Sequence, residues 1–131
     1  MPFQAKHRFA RISPRKARLL MDLVRGRDVD DAINLLRFSK QRVSGMIEKV
    51  IRSAVANASE QEVAQSRNTL FVAQAWVDPG PVIKRFQPKD RGKAYSIKKR
   101  TSHLVVTIDE REEGAKYRPK QVVGGRPGKA R

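Results

Sequence analysis

The chain has 131 residues, no cysteine and a formal net charge of +16, from 29 Lys and Arg against 13 Asp and Glu. That length gives one modest core, the lack of cysteine excludes disulfides and thiolate chemistry, and no apolar run approaches the roughly 18 residues of a membrane helix. So large an excess of cations points to a polyanion as partner, nucleic acid or an anionic membrane, and without a secretory apolar stretch the expected compartment is the cytoplasm.

Met1 to Arg11 alternates Phe3, Ala5 and Phe9 with Lys6, Arg8 and Arg11, the pattern of a strand with one wet, cationic face. Ser13-Pro14 then predicts a helix start, serine as N-cap and proline at the first helical position. Ala17, Leu20, Met21 and Val24 make that helix's apolar stripe, and Gly26 ends it. Arg15, Lys16 and Arg18 crowd its first turn, where the helix dipole disfavours cations; a bound anion would offset that cost. A second helix is predicted from Asp28 or Asp30 to about Phe38, with Ala32, Ile33, Leu35 and Leu36 apolar. A third, capped by Ser39, is predicted to run to about Ala58, with Val43, Ile47, Val50, Ala54 and Ala58 on one face. Gly45 weakens it by about 1 kcal/mol against alanine and is expected to allow close packing. Ser59 to Asn68 reads as connector.

Two strands follow, Thr69 to Asp78 and His103 to Asp109. The first alternates Leu70, Val72, Gln74 and Trp76 with Phe71, Ala73, Ala75 and Val77; the second alternates Leu104, Val106 and Ile108 with His103, Val105 and Thr107. The whole pattern is α+β. Beyond Asp109 the chain turns charged and then Gly- and Pro-rich, so residues 111–131 read as a basic, disordered tail behind a single domain of residues 1–110.

Charge is segregated along this plan. Residues 1–27 carry eight bases and one acid, residues 28–83 six bases and seven acids, and residues 84–100 eight bases and one acid. This last segment, KRFQPKDRGKAYSIKKR, lies between the two strands, with the turn chemistry of Pro88, Lys89, Asp90, Arg91 and Gly92 at its centre. It reads as a hairpin arm spanning about residues 79–102. At ~3.3 Å per residue, a dozen extended residues reach about 40 Å, well outside a body whose radius of gyration is near 13 Å. Pro79, Pro81 and Pro88 remove backbone donors, which argues against a fully paired central ladder. Phe86, Tyr95 and Ile97 are interspersed with the bases and suit stacking or packing on nucleotides.

The candidate contacts are therefore the arm cations, the cluster RISPRKAR, and KKRTSH, where Thr101 and Ser102 add hydroxyls beside Lys98, Lys99 and Arg100. Catalytic readings have little to stand on. His7 and His103 form no metal-ligand pattern with the acids, no phosphate-loop or nucleophile motif appears, and Asp109, Glu110, Glu112 and Glu113 read as an exposed strand end. No metal or cofactor is expected, and the chain is not read as an enzyme.

The strings AKHRFARISPRKARLLMDLVRG, VIRSAVANA and VDPGPVIKRFQPKDRGKAYSIKKRTSH, with the apolar strand after them, closely resemble the bacterial large-subunit ribosomal proteins of the L-twenty-two family over roughly residues 5–109. The tip departs from the commoner pattern at Asp90 and at Tyr95-Ser96. The resemblance implies three helices on a three-stranded antiparallel sheet, a long protruding hairpin, and no catalysis. It implies a monomer held in the large subunit by ribosomal RNA and neighbouring proteins, supporting assembly. The body would lie near the peptide tunnel exit, with the hairpin tip (Pro88, Lys89, Asp90, Arg91, Gly92 and Lys93) in the tunnel wall beside the nascent peptide. Carried over by motif, RNA contacts are Arg8, Arg11, Ser13, Arg15, Lys16 and Arg18 in the body, and Lys84, Arg85, Lys89, Arg91, Lys93, Lys98, Lys99 and Arg100 in the arm. The alternative from the residues alone is an architectural DNA-binding protein whose proline-bearing arm enters a minor groove. It would call for a dimer with paired arms.

Overall fold

Ser13 and Pro14 start the first helix as their chemistry predicts. In the computed structural model, which describes residues 2–61 and 70–111, helix α1 spans Pro14–Val24, with Ser13 Oγ accepting the Lys16 N–H. Its stripe of Ala17, Leu20, Met21 and Val24 is buried. Gly26 follows with φ 82°, a left-handed turn that glycine adopts without Cβ strain. Its N–H donates to Val72 O at 2.8 Å, and the Val72 N–H donates to Arg27 O at 2.9 Å, so the turn after α1 is stitched to a strand.

Helix α2 spans Val29–Phe38 and carries Asp30 and Asp31 in its first turn, where the dipole favours acids. It buries Val29, Ala32 and Leu36, while Ile33 and Leu35 are partly buried against the core. Helix α3 spans Arg42–Glu60 and buries the expected Val43, Ile47, Val50, Ala54 and Ala58 together with Ser44, Ile51 and Val55. Ser39 does not cap it. That residue closes α2, the N-cap position of α3 belongs to Gln41, and Ser44 Oγ donates to Gln41 O at 2.6 Å. Two helix ends lie so close that one serine cannot serve both, and the polar pattern did not say which it served.

Gly45 is also not where close packing occurs, because a Cβ built there meets nothing within 4 Å. Gly45→Ala should therefore raise the stability of the free protein by about 1 kcal/mol, visible as a higher melting temperature. An unchanged or lower melting temperature would show that the backbone here needs glycine.

The sheet is antiparallel in the order β1 (Phe3–Ala10), β5 (Ser102–Glu110), β2 (Leu70–Pro79). As the middle strand, β5 buries Leu104, Val106 and Ile108, and also Val105 and Thr107. Val105 lies opposite Lys6 on one side and Trp76 on the other, long side chains that can cover it while their polar ends stay wet. The core holds Leu20, Met21, Leu36, Ile47, Ile51, Leu70, Leu104 and Ile108 at almost no exposure.

Both flanking strands carry a register shift, and each corrects a simple alternation. In β2 the shift falls between Val72 and Gln74, so the buried set runs Leu70, Val72, Ala75, Val77, passing from one of the two alternating sets to the other. In β1 the shift falls between His7 and Ala10. Phe9, expected beside Phe3 and Ala5, has φ 58° and is 60% exposed, and Ala10 is buried instead. One extra residue in a strand reverses the face of everything after it.

The arm is a second, two-stranded antiparallel sheet, β3 (Ile83–Lys89) against β4 (Lys93–Lys99). Arg91 and Gly92 both take positive φ, 55° and 73°, and Lys93 N–H closes onto Asp90 O at 3.3 Å; paired left-handed residues match the twist of a hairpin. Pro88 is inside β3, opposite Ala94. A strand with only one neighbour has a side where no donor is required, and residues 80–82 lie outside the ladder. The arm is thus, as expected, not a fully paired central ladder, although Pro88 itself is paired.

Arg111, assigned from sequence to the tail, packs on the body. Its Nη1 lies 3.0 Å from Asp28 Oδ1 and its guanidinium 4.5 Å from the Phe71 ring centre. The expectation of disorder for the rest of the tail concerns residues 112–131, outside the described residues.

Candidate nucleic-acid interface

Four separate segments meet at an open recess of about 950 Å³. Arg11, Ile12 and Ser13 come from the loop after β1, Lys16 and Leu19 from α1, Gln41, Arg42 and Val43 from the start of α3, and Lys98, Lys99 and Arg100 from the end of the arm. Six of these lining side chains are cationic and none is acidic, so the concave wall concentrates positive potential. Two helices begin here without an acid in either first turn, and their positive ends add to the same field. Of the first-turn cations that looked misplaced on α1, Lys16 thus borders a site suited to a phosphodiester.

Arg11, Ser13, Lys16, Lys98, Lys99 and Arg100 are brought together as one wall. Arg8 and Arg15 are exposed but outside it. Arg18 turns back on the body, its Nη2 donating to Val77 O at 3.1 Å. Arg42 and Gln41 were missed. Averaging charge over residues 28–83 hid them, although Arg37 and Arg52 share Glu48 while Arg42 has no acidic partner among the described residues. The available signal was Lys40 and Arg42 at a helix start, the same placement as Arg15 and Lys16.

Along the arm, Lys84, Arg85, Lys89, Arg91 and Lys93 are exposed, as are Pro88, Asp90 and Gly92 at the tip. Lys84 stands opposite Lys98, and Lys89 opposite Lys93. Like charges directly across a ladder destabilise it, so the arm is built for an environment that supplies anions. The pairing also divides it into two faces, Phe86 on one and Tyr95 on the other, with Lys89 Nζ 5.3 Å from the Tyr95 ring centre.

Thr101 and Ser102 do not join this surface. They are 4% and 0% exposed; Thr101 Oγ1 donates to Pro81 O at 2.6 Å, and its carbonyl accepts the Gly80 N–H at 2.9 Å. Their expected role as hydroxyl donors to RNA is corrected: both are buried, and Thr101 forms a clasp where the arm leaves the body. Polar residues next to a cation run need not share its exposure, because here the ladder turns back into the core. Among the described residues no group of three His, Cys, Asp or Glu is placed to hold a metal ion, and no helix is long and apolar enough to cross a membrane.

The comparisons with known proteins agree with this architecture. A family model described as ribosomal protein L22p/L17e matches residues 5–109. The chain belongs to this family of ribosomal proteins. A large ribosomal subunit protein uL22 of Carboxydothermus hydrogenoformans is 46% identical over 114 residues, covering 87% of this chain and all of that protein. The uL22 of Bdellovibrio bacteriovorus is 44% identical over 111 residues, covering 85% of this chain and all of its own.

Proposed function

We propose that this protein is a non-catalytic structural component of the large subunit of the cytoplasmic ribosome. It binds large-subunit ribosomal RNA through the recess and the arm, supports subunit assembly beside neighbouring ribosomal proteins, and sets its hairpin tip in the wall of the nascent-peptide tunnel. The observation that carries the reading is the convergence of six cations from four segments of the chain in an acid-free recess at the root of the cationic arm. Family membership supplies the large-subunit context, and the architectural DNA-binding alternative has no support.

The tip and the body divide the work. Phe86 and Ser96 are paired, so residues 87–95 can be replaced by Asn-Gly to give a shorter hairpin with a favoured turn. The core lies elsewhere, so the variant should fold with an unchanged melting temperature and sediment with large subunits. Cryo-microscopy of those subunits should show an altered tunnel wall. Normal tunnel geometry would remove the tip from the wall, and loss of folding would place the tip in the core.

A further inference from the structure

Phe9 is costly where it stands. Its backbone occupies the left-handed region at φ 58°, a conformation disfavoured for a bulky L residue and free for glycine. Its ring is 60% exposed and adds little to the core. Yet the ring is held in place: the Phe9 N–H donates to His103 Nδ1 at 3.0 Å, and the two rings meet edge-on with centroids 4.9 Å apart at 85°. The register shift in β1 is what turns this aromatic outward. Exposed Arg8 precedes it, and Arg11, two residues on, begins the cationic recess.

We infer that Phe9 is a stacking platform for an unpaired RNA base whose flanking phosphates lie on Arg8 and in the recess beyond Arg11. The inference rests on the RNA-binding reading above. Bases present π-faces that stack on aromatic side chains whatever their sequence, and a ring already fixed by His103 loses little freedom on binding. The clustered cations favour a nucleotide over an apolar protein side chain as the occupant, since one nucleotide supplies both a π-face and the phosphate charge, whereas an apolar contact alone would leave those cations unpaired.

The test uses the full chain with deproteinised large-subunit rRNA as probe, titrated at several salt concentrations. Phe9→Ala and Phe9→Gly should each weaken binding roughly 5- to 150-fold, the range of one aromatic–base stack, with the salt slope unchanged. Phe9→Tyr should bind like the parent. Glycine takes the left-handed backbone without strain, so Phe9→Gly should stay folded and separates lost stacking from lost structure. In reconstituted large subunits, Phe9→p-benzoylphenylalanine should cross-link to RNA under illumination. Unchanged affinity of both truncations, with the parent still binding in a salt-dependent way, would overturn the stack and leave the RNA-binding reading standing. Cross-linking only to a neighbouring protein would also overturn it. A parent chain with no affinity for the rRNA would overturn both readings.

Discussion

Raising salt from 50 to 200 mM should weaken binding of the free protein to its rRNA by roughly 10³–10⁵-fold, as expected for 6–10 phosphate contacts. The estimate follows from placement. The recess supplies Arg11, Lys16, Arg42, Lys98, Lys99 and Arg100, and the arm adds Lys84, Arg85, Lys89, Arg91 and Lys93. Each phosphate neutralised releases condensed counterions, so log affinity falls linearly with log salt, at about −0.9 per contact for duplex and −0.7 for single strands. Arg42→Gln should lower the slope by about one contact if the recess acts as a unit. A parent slope of about −2 or shallower would defeat phosphate neutralisation as the main source of affinity. An Arg42→Gln slope equal to the parent's would take α3 out of the interface.

Gly80→Ala should open the base of the arm. A Cβ there would lie 2.6 Å from Thr101 Oγ1 and 3.3 Å from the Thr101 carbonyl carbon and oxygen. Neither neighbour is free to yield: the hydroxyl donates to Pro81 O, and the carbonyl accepts the Gly80 N–H itself. Overpacking of this kind costs about 1–3 kcal/mol, so the melting temperature of the free protein should fall by several degrees. Misdirection of the arm should also reduce incorporation into large subunits. Thr101→Ala on its own removes the 2.6 Å bond; combined with Gly80→Ala it also removes the worst overlap. The double variant should therefore be more stable than the two single losses added together. Strict additivity would show that the clasp does not couple the two positions.

What the sequence made legible was local chemistry. Ser13-Pro14 and Gly26 bracket α1, and the run from Val43 to Ala58 marks the buried face of α3, because caps and a 3.6-residue period act within a few residues. Phe9 was misassigned, and the buried set of β2 switches between its two alternating faces, for one shared reason. A period of two says which residues share a face, but not where a bulge inserts an extra one, and that insertion is settled by pairing with β5, whose sequence is about a hundred or thirty positions away. At the interface, the cation runs were readable as charge and the order of elements as family pattern. Their convergence was not. Arg42 reaches the recess because the starts of α1 and α3 lie together in the fold, and Thr101 and Ser102 leave it because the ladder re-enters the core at that point.

The paired lysines of the arm bear on the life of the protein before it meets RNA. A two-stranded ribbon offers unpaired backbone donors and acceptors along both outer margins, a template on which another copy's ribbon can add. Here such addition would bring Lys84, Lys98, Lys89 and Lys93 of two copies into one continuous sheet with no acids to separate them. The charges proposed to fit the arm for ribosomal RNA should therefore also oppose such edge-to-edge addition between newly made copies. Only a polyanion that cancels them would remove that protection, and in doing so it would occupy the same surface.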